Sequence, residues 1–155
     1  MAIKNYTSVV KPTDSLGKIQ AILAEYGASR IQIEYTDQRK PKSVTFAMWI
    51  GGNEIAFQLS VDVAGLLQAM KEDSKVPSAH CNSEQAERTA WKNKLEWLQI
   101  QLAEIQANQA RMEQLLLGYA VTRNGQTAYE RLQQGENLLT ASSPADEGGS
   151  RRESR

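Results

Sequence analysis

Apolar residues along this chain pass from helical spacing to strict alternation and back to helical spacing. Leu16, Ile19, Ile22, Leu23 and Tyr26 fall on one face of a helix. Pro12-Thr13-Asp14-Ser15 reads as the turn that starts it, and Gly27 stands where a left-handed cap residue is expected. Three alternating runs follow: Ile31, Ile33, Tyr35; then Val44, Phe46, Met48, Ile50; then Ile55, Phe57, Leu59. Gln32 and Glu34, then Thr45, Ala47 and Trp49, then Glu54, Ala56 and Gln58 fill the positions between, which predicts a sheet with one buried and one wetter face. Trp49 falls on the wetter face, where packing under a helix is the commoner role for such a ring and an exposed stacking surface the alternative. Gly51-Gly52 joins the second and third runs as a two-residue hairpin turn, because glycine accepts the positive φ such turns require. Ile3 to Val10 is a further, weaker strand candidate.

Asp62 to Glu72 predicts a short helix through Val63, Leu66, Leu67 and Met70, weakened by Gly65. Residues 74–82 read as a linker, with Pro77 excluding a continuous helix. Asn82 and Gln85 have capping-box spacing, so a long helix is expected from Ser83 to Gly118. Trp91, Leu95, Leu98, Leu102, Ile105, Met112 and Leu116 form its seam, with Gln109 as the polar interruption. At about 1.5 Å per residue such a helix would run about 50 Å, longer than a small domain readily covers. Trp91, Leu95 and Leu98 are expected to join the core. The distal half faces either a partner or Leu132, Leu138 and Leu139 of the same chain.

The expected architecture is therefore α+β. It has a small antiparallel sheet of three to four strands with a packed helix, then a long C-terminal helix and a disordered tail. In residue numbers it divides into a body (1–73), the linker (74–82), the long helix (83–118), a turn and short helix (119–139), and the tail (140–155). The tail holds too few apolar residues to offset the entropy of ordering it.

Charge narrows the function. The chain has 18 basic and 18 acidic residues, without the excess that phosphate binding usually draws on. No apolar run reaches membrane-span length, and Met1 to Val10 lacks a signal-peptide core, so a cytoplasmic location is expected. Cys81 is the single cysteine and cannot form an internal disulfide. His80 and Cys81 are adjacent on an extended segment, where neighbouring side chains diverge, so they are poorly placed to act together. One His and one Cys cannot supply a zinc site within one chain, and no cofactor or metal is expected. Asp37, Glu54, Asp62 and Glu130 have no spacing that demands acid–base chemistry. The loop Arg39-Lys40-Pro41-Lys42 is the one basic cluster, within a segment (1–60) carrying seven basic and five acidic residues. Its default reading is an ordinary charged hairpin loop. Helix, three strands and helix is also the element order of a double-stranded-RNA-binding domain, though Glu72-Asp73 would repel phosphate.

Lys4-Asn5-Tyr6-Thr7, Ala90-Trp91 followed by Lys94 and Trp97-Leu98, and Gly125-Gln126-Thr127 with Tyr129-Glu130 carry a resemblance. They resemble a group of small proteins of bacteriophages, prophages and integrative elements, over most of residues 3–134. The resemblance implies a mobile-element context and transfers no catalytic residue. The reading from sequence is a non-enzymatic accessory protein. It would bind a copy of itself or a host protein through Leu98, Leu102, Ile105, Met112 and Leu116. The alternative is a nucleic-acid-binding accessory protein of phage replication or recombination, with contacts from Arg39, Lys40 and Lys42.

Overall fold

The computed structural model of the chain describes residues 1–135. The expected disordered tail (140–155) lies outside the described residues, as do Leu138 and Leu139. The element order is α1 (Pro12–Glu25), β1 (Arg30–Tyr35), β2 (Pro41–Ile50), β3 (Asn53–Ser60), α2 (Val63–Glu72), α3 (Ser83–Gln106), α4 (Met112–Leu115) and α5 (Ala128–Gln133). Single 3-10 turns occupy Ser78–His80 and Leu117–Tyr119.

The alternating runs become a three-stranded antiparallel sheet in the order β1-β2-β3. Ile50 pairs with Asn53 across Gly51-Gly52, whose φ angles are 57° and 81°. Val44, Phe46, Met48, Phe57 and Leu59 turn one face into the core. Leu16, Ile19 and Leu23 of α1 and Trp91, Leu95, Leu98 and Leu102 of α3 cover it. The fourth strand is not formed. Ala120 makes only an isolated bridge to Phe57, and residues 3–10 contain no strand.

That N-terminal segment is instead held along α3 by polar side chains. Asn5 Nδ2 donates to Asn93 Oδ1 at 2.8 Å and Glu96 Oε2 at 2.9 Å. Gln85 Nε2 donates to the carbonyls of Tyr6 at 2.8 Å and Ser8 at 2.9 Å. Gln85 is itself buried, so these bonds satisfy an amide that would otherwise be costly to enclose. Residues 74–82 are mostly exposed but anchored by one buried residue. Val76 joins Met70 and Ala86 in a second small core, with Ile3, Tyr6, Leu66 and Leu67 around it. Gly65 in α2 has a local reason: a Cβ there would collide with the Asp62 carboxylate, which accepts the Gly65 N–H as the helix cap.

The single long helix from Ser83 to Gly118 is not formed, and this corrects the reading from sequence. α3 stops at Gln106, and Asn108 takes a left-handed conformation with φ 56°. Asn108 N donates to Ile105 O at 3.1 Å, and Gln109 N to Glu104 O at 3.0 Å. This is the Schellman arrangement, which satisfies the last carbonyls of a helix and turns the chain away. α1 ends the same way, with Gly27 N on Ala24 O and Ala28 N on Leu23 O. After the turn, α4 returns Met112 and Leu116 to the main core.

Candidate functional site

The seam expected to meet a partner is enclosed by its own chain. Leu98 is 0 % exposed, Leu102 1 %, Met112 9 % and Leu116 0 %. Ile105 is half-buried against the same core. The physical reason is the break at Asn108, which converts one overlong rod into two segments that both face the sheet. In this folded state the seam offers a partner nothing except the half-exposed edge of Ile105.

The basic loop keeps its place between β1 and β2, but acidic residues answer two of its cations. Lys40 Nζ lies 3.7 Å from Glu87 and Lys42 Nζ 4.0 Å from Glu34. Arg39 sits at the exposed turn with φ 62°. His80 ends the 3-10 turn Ser78–His80 and is not on the extended segment expected from the sequence, and its neighbours differ from those of Cys81. The His80 ring meets Tyr6 edge-on at 5.4 Å, while Cys81 Sγ donates to Met70 O at 3.4 Å.

A cleft with a volume of about 820 Å³ opens between the end of β3 and α5. Gln58, Ser60, Asp62, Tyr119, Tyr129 and Glu130 contribute to its walls. Its carboxylates already serve the backbone. Asp62 caps α2, and Glu130 accepts the Thr127 N–H at 2.9 Å in a reciprocal capping box. The Tyr129 hydroxyl accepts from Gln133 Nε2 at 2.9 Å. Beside this cleft, burial holds the Lys94 ammonium below the usual lysine range, and its Nζ lies 5.4 Å from the Trp97 ring centre.

The second face of the sheet carries Arg30, Gln32 and Glu34 on β1, Thr45, Ala47 and Trp49 on β2, and Glu54, Ala56 and Gln58 on β3. Trp49 stands here 64 % exposed, opposite Glu54. Alanines at 47 and 56 leave a shallow hollow of about 550 Å³ beside Arg30, Gln32 and Thr45. Arg30 reaches across Ala47, and its Nε donates to Glu54 Oε1 at 2.8 Å. The alternation in the sequence places Trp49 on this face, but the ring is not packed beneath a helix as expected; it stands exposed.

The residues on which the expected resemblance rests are fold contacts. Asn5 and Lys4 tie the N-terminal segment to Glu96, Trp91 fills the core, Trp97 meets Tyr119 at 5.3 Å, and Thr127 with Glu130 caps α5. Among the described residues, no helix is long and apolar enough to cross a membrane, and no group of three or more His, Cys, Asp or Glu residues is placed to hold a metal ion. No protein-family model, curated protein or solved structure matches this chain.

Proposed function

We propose that this chain is a non-enzymatic accessory protein of a bacteriophage or integrative element, that it acts by binding protein (a second copy or a host protein), and that the contact is made by the second face of the sheet. The observation that carries this reading is Trp49. A large indole left 64 % exposed on the central strand gains free energy when a partner covers it. Aromatic residues on fixed backbone are the commonest anchors of protein interfaces. The neighbouring alanines let an incoming side chain approach the sheet closely. The mobile-element context rests on the sequence resemblance alone.

Nucleic-acid binding through Arg39, Lys40 and Lys42 has weaker support. Glu87 and Glu34 already stand beside two of those cations, and each would repel phosphate. Salt-dependent retention of DNA or RNA, abolished by alanine at 39, 40 and 42, would replace the protein-binding reading.

The test uses tagged full-length chain exposed to extract of the host cell. Wild type, Trp49→Ala and Ile100→Ala are compared, the last removing an exposed apolar residue from α3. A protein retained by wild type and Ile100→Ala but lost from Trp49→Ala is the expected result. Identical retention by all three removes the sheet face from the proposal.

A further inference from the structure

β1 is an edge strand: it pairs with β2 on one side and with no other strand among the described residues. Its ladder to β2 is regular from Arg30 to Glu34 and shifts register only at Glu34/Tyr35. An exposed row of backbone donors and acceptors of this kind is a template for another strand. Natural edges are usually blunted by charged side chains (lysine above all), proline or a bulge; the stretch Arg30-Ile31-Gln32-Ile33-Glu34 has no lysine or proline, its two charges are of opposite sign, and its irregularity comes only at its end.

We propose that the free edge of β1 pairs antiparallel with β1 of a second copy, with the two-fold axis passing through Gln32, to give a continuous six-stranded sheet. The inference rests on the protein-binding reading above for the kind of partner, but uses the strand edge and not the Trp49 face. Its basis is that the stretch is complementary to itself. In this register Arg30 faces Glu34 of the second copy, and Glu34 faces its Arg30. Ile31 faces Ile33, and Gln32 faces Gln32. Opposite charges directly across an antiparallel pair stabilise it, and like charges oppose it.

The pleat excludes most other registers. A slip of one residue would set Arg30, on the open face, against Ile33 in one direction and Tyr35 in the other. A slip of two residues either way keeps the faces but leaves neither Arg30 opposite Glu34 nor Glu34 opposite Arg30. The side chains are available for the pairing. Arg30 uses only its Nε toward Glu54, which leaves the Nη donors for a second carboxylate. Glu34 is held only by the 4.0 Å contact to Lys42. Ile31 and Ile33 are half-buried at the edge of the core and gain cover from each other across the axis.

Five residues from each copy make a small interface, so association is weak, at protein concentrations on the order of 0.1 mM. Analytical ultracentrifugation of the wild type across that range should show the mass rising from 17.2 kDa toward twice that value. Arg30→Glu and Glu34→Arg should each remain monomeric, and the double exchange should associate again. The second arm is covalent and uses a Cys81→Ala background. Opposed Cα atoms in an antiparallel pair lie about 4.5–5.5 Å apart, within disulfide reach. Gln32→Cys should therefore form a cross-linked dimer under mild oxidation much faster than Gln58→Cys, which sits on the far strand.

A wild type that stays monomeric, with no excess cross-linking at position 32, overturns the pairing and leaves the Trp49 reading standing on its own experiment. A dimer that survives both single charge changes also overturns it. A double exchange that stays folded without associating overturns the register. If a charge variant fails to fold by circular dichroism, the cross-linking arm decides.

Discussion

Asn108 ends α3 by adopting the left-handed region that most side chains avoid. Asparagine tolerates it better than a branched residue and less well than glycine. Asn108→Gly should therefore keep or raise stability, by about 0.5 kcal/mol, whereas Asn108→Val should lower it by about 1–2 kcal/mol. Urea denaturation followed by circular dichroism separates these outcomes. Equal stability of the two variants would mean that the turn is imposed by the packing of Met112 and Leu116 and not by the residue at its centre.

At the scale of elements, the N-terminal segment is fastened by groups that titrate in acid. The Asn5 amide, with help from Lys4, holds the Glu96 carboxyl below its ordinary range. Backbone N–H groups of Lys75 and Ile3 do the same for Asp73. A carboxylate with a lowered folded-state pKa contributes stability above its unfolded pKa and loses it as the pH falls through the folded value. Both groups face solvent, so the contribution is small and local. Amide protection at Ile3 and Ser8 should fall below about pH 4, while β2 and β3 stay protected. Hydrogen exchange corrected for intrinsic rates reads this directly, and unchanged protection down to about pH 2.5 would contradict it.

The same scale shows what the sequence disclosed. β1 to β3 were legible because side chains must alternate across a half-buried sheet, and Gly51-Gly52 marked the hairpin. The break in the long helix was not legible. Ile105 and Met112 are seven residues apart, and a seven-residue interval keeps a heptad pattern intact whether the chain between is helical or turned. Asn108 gave a fainter stop signal than Gly27. The attachment of residues 3–10 was hidden for a different reason. It depends on Asn5, Gln85 and Asn93 meeting across about 80–90 positions of chain, which local periodicity cannot express. Of the candidate site, the sequence placed Trp49 on the wetter face and Leu98 in the core, but hid the burial of Leu102, Met112 and Leu116.

For the whole molecule, that burial changes what a seam mutation measures. Leu102 touches a core shared by sheet, α1 and α3, so Leu102→Ala should cost about 2–5 kcal/mol of stability. Leu102→Glu with Ile105→Glu should unfold the chain at every protein concentration, because it places a carboxylate among apolar side chains. Thermal melts over a wide concentration range check this. A double variant that stays folded and only associates less would restore the seam as a docking surface.

The tryptophans also differ in what they meet. Trp91 is sealed in the core, its indole N–H without a hydrogen-bond partner among the described residues, Trp97 lies beside Tyr119, and Trp49 faces water. Their emission should differ accordingly, with Trp49 the reddest and the most open to a collisional quencher. One cuvette can then watch two processes: loss of the blue component reports melting, and shielding of the red one reports an arriving guest.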